Sequence, residues 1–186
     1  MLSVIIATDN SERVLVRTLS ALVAGAVDGL ISEVVVVDGG SSDDTAAVAD
    51  VAGCDFLLHQ GSLAERLSSA VARARAPWLL FLRPGTVLDA GWTAEARRFI
   101  EQNEAEPRAG VFRRGTTGQS TFVEAFALVV AALGGRPRPE QGLLIERRFY
   151  LTLGGHRDGV DPETALIRRI GRRRLITLAS GAWSRK

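Results

Sequence analysis

The chain has 186 residues, 46% hydrophobic and 24% charged, a balance that suits a globular protein and excludes disordered and fibrous classes. A chain of this length fits one domain able to bury about 70% of its unfolded surface. The formal charge is only +2, yet 22 of the 23 basic residues are Arg, and residues 1–135 carry 11 basic and 16 acidic groups against 12 and 5 in residues 136–186. Cys54 is alone, which excludes a disulfide framework. No apolar run reaches the roughly 18–20 residues of a membrane span. The start, Met-Leu-Ser-Val-Ile-Ile, lacks the basic region of a signal peptide, so a cytoplasmic protein is expected.

Leu2–Ala7 is a continuous β-rich run. Val14, Leu15, Thr18, Leu19, Leu22 and Val23 then recur at helical spacing, with Ser11 placed to cap that helix. Glu33–Val37 is a Val strand, Gly39-Gly40-Ser41-Ser42 a turn, and Asp43–Val51 a helix with acids in its first turn. Cys54–Leu58 is a third strand, Leu63–Arg75 a helix and Trp78–Leu82 a fourth strand. Continuous apolar strands separated by helices indicate a parallel sheet covered on both faces.

The remainder is less regular. Ala90–Gln102 is a helix, Gly110–Arg113 a strand, and residues 103–108 and 114–119 are loops. Phe122–Leu133 is strongly apolar and reads as a core or subunit-interface helix, so a homo-oligomer is one expectation. An Arg-Pro stretch ends at Pro139. Leu143–Ile145 is a short strand leading into a helical turn that closes at Gly154-Gly155, Pro162–Ile170 a helix, and Leu175–Leu178 the last strand. No second domain is indicated: residues 1–88 form a doubly wound half and residues 89–186 its continuation.

In an open parallel sheet, ligands bind beyond the carboxyl ends of the strands. Thr8-Asp9-Asn10, Asp38-Gly39-Gly40-Ser41 and Arg83-Pro84-Gly85-Thr86 fall there. Asp38 ends a buried strand where its carboxylate can accept from a base or a sugar. It can equally cap the turn that follows.

Ser3-Val-Ile-Ile-Ala-Thr-Asp-Asn-Ser, followed by Glu33-Val-Val-Val-Val-Asp-Gly-Gly-Ser-Ser-Asp-Asp-Thr, resembles family 2 glycosyltransferases of the GT-A fold. The resemblance continues through Trp78-Leu-Leu-Phe-Leu-Arg-Pro-Gly-Thr, Glu140-Gln-Gly-Leu-Leu-Ile-Glu-Arg-Arg and Leu153-Gly-Gly-His. It implies a single α/β domain with a mostly parallel mixed sheet. It implies also a nucleoside diphosphate sugar, of the UDP type, over residues 1–88 and an acceptor side over 89–186. Ala7, Thr8, Asn10, Asp38 and Gly39 would line the nucleoside pocket. Arg66 would lie near the diphosphate, or else on a solvated helix face. Glu140, Gln141 and Gly142 would border the acceptor, or make a plain turn before a strand.

Relatives end the fourth strand with an acidic segment that holds Mg²⁺ or Mn²⁺. Here Arg83-Pro84-Gly85 offers no side-chain oxygen, and such metals need hard oxygen ligands. Asp89 is four residues beyond Gly85 and would need a changed loop to help. Either Arg83 pairs with the diphosphate in the metal's place, or the site has decayed. The resemblance also asks for a carboxylate base. Glu163 stands at the matching position, with Asp161 as alternative. Asp161-Pro162-Glu163 is equally ordinary helix-start chemistry.

Arg168, Arg169, Arg172, Arg173 and Arg174 cluster near the end of the chain. They read as a solvated face or a membrane-surface patch suited to a lipid-linked acceptor. No aromatic residue interleaves them, so nucleic acid is not expected. The expectation is an inverting, family 2-like transferase. The competing class is an inactive relative kept as a nucleotide-binding or protein-interaction module. A nucleotidyltransferase would need a Gly-rich basic loop, and residues 8–14 contain no Gly.

Overall fold

The computed structural model describes residues 1–103, 107–115 and 137–184. The Val- and Ile-rich runs form the centre. Leu2–Thr8 (β1) pairs in parallel with Ile31–Asp38 (β2) on one side and with Trp78–Leu82 (β4) on the other. Asp55–Leu58 (β3) extends the sheet beyond β2. Between these strands run Glu12–Val27 (α1), Thr45–Val51 (α2) and Leu63–Arg73 (α3).

Past β4 the sheet changes sense. Leu143–Glu146 (β7) lies antiparallel to β4 and to Ala109–Arg114 (β6). Leu175–Ser184 (β8) then runs parallel to β6, and Thr86–Leu88 (β5) closes the far edge against it. The strand order is β3-β2-β1-β4-β7-β6-β8-β5. Trp92–Gln102 (α4), Arg147–Thr152 (α5) and Pro162–Ile170 (α6) complete the helices among the described residues.

The period of two in the strands divides the core between the two faces. Val4, Ile6 and Val36 face one cluster, with Leu15 and Leu22 of α1 and Trp92 and Phe99 of α4. Ile5, Val35 and Val37 face the other, with Leu67 and Val71 of α3, Tyr150 of α5 and Leu166 of α6. Both faces are buried, which is why these strands carry unbroken apolar runs. The mixed α/β architecture agrees with the expectation.

Several boundaries differ for local reasons. The last strand continues six residues past Leu178 to Ser184. Ala179-Ser180-Gly181 looks like a turn, but Glu95 accepts the N–H groups of Ala179 and Ser180 and Asp89 accepts that of Gly181. The register shifts there and pairing resumes at Arg113↔Gly181. Asp89 is therefore committed to this bulge. The three-residue β5 was too short to read. α3 ends at Arg73, because Ala74 turns extended (ψ 139°) three residues ahead of Pro77. α2 begins at Thr45 and α4 at Trp92, each two residues later than expected. Ser11 stands at the start of α1 but makes no side-chain cap bond; its hydroxyl exchanges hydrogen bonds with the backbone of Asp9. The apolar stretch Phe122–Leu133 lies outside the described residues.

Part of the basic cluster, with two arginines after β7, lies away from the carboxyl edge. The Arg174 carbonyl oxygen accepts from the N–H of Ala109, at the start of β6. Its guanidinium lies 5.7 Å from the Phe149 ring centre. Arg147 donates to the Ala74 carbonyl, just before β4. Together with exposed Arg148 and Arg173 they mark the amino edge of the sheet, the end opposite Thr8, Asp38 and Arg83.

Candidate functional site

The loops after β1 and β2 are locked to each other through Asp38, which is 2% exposed. Its Oδ1 accepts from the Thr8 hydroxyl at 2.8 Å and the Ser41 hydroxyl at 2.6 Å. Its Oδ2 accepts from the N–H groups of Gly40 at 2.9 Å and Ser41 at 2.7 Å. Burial opposes the charge of Asp38, but these bonds, led by Ser41, outweigh it and hold the carboxyl below the usual range. Gly40 has φ +107°, a conformation that favours glycine.

Asn10 completes the lock. It has φ +45°, which Asn tolerates better than most residues. Its N–H donates to Ser41 Oγ at 2.7 Å, and its Oδ1 accepts from the N–H and hydroxyl of Ser42. Asp43 takes the N–H of Glu12, at the start of α1. Ser41 belongs to a segment that the sequence places at this edge; Ser42 and Asp43 are not among the candidate site residues. Their composition, polar residues just after Gly-Gly, was the available signal.

Arg66, on α3, lies over this loop. Its Nη1 donates to the Thr8 carbonyl at 2.8 Å. A Cβ built on Gly39 would stand 2.6 Å from Nη1, so the missing side chain is what admits the guanidinium. The buried Nε–H of Arg66 has no protein partner. Thr8, Asn10, Asp38, Gly39 and Arg66 thus form one group at the carboxyl edge, with half-buried Ala7 between β2 and β4.

A second group stands next to it on β4. The register sets Leu82 opposite Ile6, so Arg83 emerges level with Ala7. Arg83 donates from Nε and Nη2 to Glu163 Oε2, at 2.8 and 2.5 Å, and from Nη1 to Glu140 Oε1 at 2.8 Å. Glu163 is in the first turn of α6, and Glu140 in a 3₁₀ turn, Pro139–Gln141, that leads into β7. That turn is anchored by Gln141, whose Nε2 donates to the Phe112 carbonyl at 2.7 Å. Gly142 follows with φ +72°, and a Cβ there would come within 2.8 Å of Leu82.

The Glu163 side chain is 13% exposed, against 46% for Glu140 and 37% for Arg83. Burial pushes the Glu163 carboxyl above its usual range, against the pull of Arg83. Asp161 is used otherwise. It precedes α6 and its Oδ1 accepts from the Thr164 N–H at 3.0 Å, the bond of a helix cap. Among the described residues no group of three or more His, Cys, Asp or Glu is placed to hold a metal ion.

Behind Arg83, His156 is buried against Phe81, with ring centres 4.9 Å apart. The Tyr150 hydroxyl accepts from the His156 N–H and faces its Nδ1, each at 3.0 Å. Burial, then the charge of Arg169, pushes the imidazole down to about 4. Cys54 is half-buried, and burial pushes its thiol up to about 11, as for an inert side chain.

The sequence model described as Glycosyl transferase family 2 matches residues 3–124. The chain belongs to glycosyltransferase family 2. Solved structures share its fold. Staphylococcus aureus TarS 1–349 is 15% identical, with a TM-score of 0.71 over 98% of this chain and 60% of that one. The same protein in complex with UDP-GlcNAc is 16% identical, with a TM-score of 0.72 over 100% and 59%. Glucosyl-3-phosphoglycerate synthase from Mycobacterium tuberculosis, in complex with Mn²⁺, UDP and glucosyl-3-phosphoglycerate, is 18% identical. Its TM-score is 0.72 over 100% of this chain and 72% of that one. This family 2 chain therefore spans about 60% of the TarS piece. A search of curated proteins finds no significant match.

Proposed function

We propose that this family 2 chain binds a nucleoside diphosphate sugar, of the UDP type, and transfers the sugar to an acceptor hydroxyl by direct displacement. The observation that carries the reading is the meeting of Arg83, Glu140 and Glu163 at the carboxyl edge, beside the Asp38 loop. They come from three separate segments, and this edge is where open α/β sheets bind ligands. The neighbours solved with UDP and UDP-GlcNAc support the choice of donor.

In this reading the acceptor oxygen bonds to the anomeric carbon while the bond from that carbon to the diphosphate oxygen breaks. Glu163 takes the hydroxyl proton, and its covered setting makes its carboxylate the stronger base. The electron pair leaves with the nucleoside diphosphate, whose charge Arg66 and Arg83 oppose. Thr8, Asn10 and Gly39 bound the nucleoside end, and Glu140, Gln141 and Gly142 the acceptor end. Asp38 acts there chiefly by holding the loop, since both its oxygens are engaged.

A divalent metal does not fit at Arg83. The guanidinium already stands between the two carboxylates, and Arg83-Pro84-Gly85 adds no side-chain oxygen. No step of the proposed reaction uses one.

Calorimetry with UDP and UDP-GlcNAc, with and without Mn²⁺, tests the reading. Metal-independent binding of both is expected, together with slow hydrolysis of the UDP-sugar when no acceptor is present. Failure to bind at any metal concentration removes the transferase reading. The second reading, an inactive nucleotide-binding or interaction module, is favoured by the ion pair that engages Glu163. It predicts UDP binding with no turnover.

A further inference from the structure

Arg83 is placed where the sheet changes sense. Its strand, β4, has parallel β1 on one side and antiparallel β7 on the other. On the β1 side lies the Arg66 guanidinium with its unpartnered Nε–H, and on the β7 side the turn that carries Glu140. Three of the five N–H groups of Arg83 are engaged by Glu163 and Glu140. An anion arriving at this edge therefore meets a cation that two carboxylates already hold.

We propose that Arg83 is the diphosphate-binding cation of the site, and that it is shared between two anions. In the empty site it holds Glu163; the donor's diphosphate draws it away and leaves the Glu163 carboxylate free to take the acceptor's proton. Donor arrival then prepares the base. This rests on the nucleotide-sugar reading above. Its physical content is a competition: a ligand that needs the guanidinium must displace the carboxylates. By reciprocity, whatever weakens the carboxylates' hold strengthens the ligand's. The two partners differ in a way that suits such an exchange. Glu140 is the more exposed, so its bond is screened and is given up first. Glu163 is the covered one, so its release changes the site most.

The test is calorimetry, without divalent metal and with a chelator present, of UDP, uridine and inorganic pyrophosphate. The proteins are the wild-type chain, Glu163→Gln, Glu140→Gln, Arg83→Gln and the double variant Arg83→Gln/Glu163→Gln. Thermal melts establish which variants fold. Glu163→Gln is expected to bind UDP and pyrophosphate about tenfold more tightly, within the range of typical coupling, and uridine as before. Glu140→Gln is expected to tighten UDP about threefold, for the weaker exposed pair. Arg83→Gln is expected to lose the gain of UDP over uridine, and the double variant to show no benefit from Glu163→Gln. Equal UDP affinity in the wild type and in whichever Glu variants fold overturns the sharing of Arg83 while leaving the nucleotide reading intact. Tightening that persists without Arg83 overturns it as well. Absence of UDP binding in every folded variant overturns the nucleotide reading, and the proposal with it.

Discussion

Arg83 stands out among the residues because its charge is answered twice, by Glu163 and Glu140. Each of the three was legible in the sequence by its position, but their pairing was not. Nothing in a linear pattern tells that residues 57 and 80 places apart meet at one guanidinium. Asp38 reads from the sequence as ligand or cap, and the structure engages both its oxygens, with Thr8 of β1 and with Gly40 and Ser41 of its own turn. Asp38→Ala would strand the N–H groups of Gly40 and Ser41, and should cost about 3 kcal/mol, seen as a lower melting temperature. Asp38 also has a sign in pH. Its folded carboxyl lies below the usual range, so its stabilisation is present above that range and is lost as pH falls through it. His156 acts at higher pH. Its folded value of about 4 lies below the ordinary 6.5, so the fold binds fewer protons than the unfolded chain between them. Stability should therefore fall as pH drops from 6.5 towards 4, by on the order of 3 kcal/mol. Denaturant melts of wild type and His156→Gln across that window would measure it; an equal slope in both removes the assignment.

At the scale of elements, the β-α alternation through β4 was legible because each strand is buried on both faces and each helix shows a face. The later strands were harder. β8 hides its length behind Ala179-Ser180-Gly181, whose backbone is satisfied by Glu95 and Asp89 from elsewhere in the chain. That is tertiary context overriding local propensity. The turn before β7 makes a similar demand. Gly142 needs positive φ and has no room for a Cβ beside Leu82. Gly142→Ala should shift the turn, loosen the Glu140–Arg83 pair and cost about 1–3 kcal/mol. Gly25, in α1, is closed by the Trp92 ring of α4 at 2.7 Å from where a Cβ would stand. Gly25→Ala should overpack that contact by about 1–3 kcal/mol, lowering the melting temperature by about 2–4 °C per kcal/mol for a chain of this size. An unchanged melting temperature would show that α4 can move away freely.

At the scale of the whole molecule, the sequence divided its charge along the chain, −5 in residues 1–135 and +7 in 136–186. The fold redistributes it across the sheet. α6 begins beside Arg83 and ends at the amino edge, so Glu163 and Arg174 lie at opposite ends although only eleven residues separate them. The acceptor-side half is therefore not uniformly basic. Three of its exposed arginines, 148, 173 and 174, lie towards the amino edge, which the order of residues could not reveal. The carboxyl edge instead gathers Asp9, Glu12, Asp43, Asp44, Asp158 and Asp161 around the inner arginines.

The acids around the mouth of the site stand outside the inner arginines. A dianionic nucleotide approaching from a distance meets repulsion before it comes within reach of Arg66 and Arg83. Screening by salt shortens the reach of that repulsion, to about 10 Å at 0.1 M. The association rate of a fluorescent UDP analogue, followed by stopped flow, should therefore rise with added NaCl, opposite to the behaviour of an enzyme that steers an anion inward. A rate that falls with salt would mean that the inner arginines govern the approach as well as the docking.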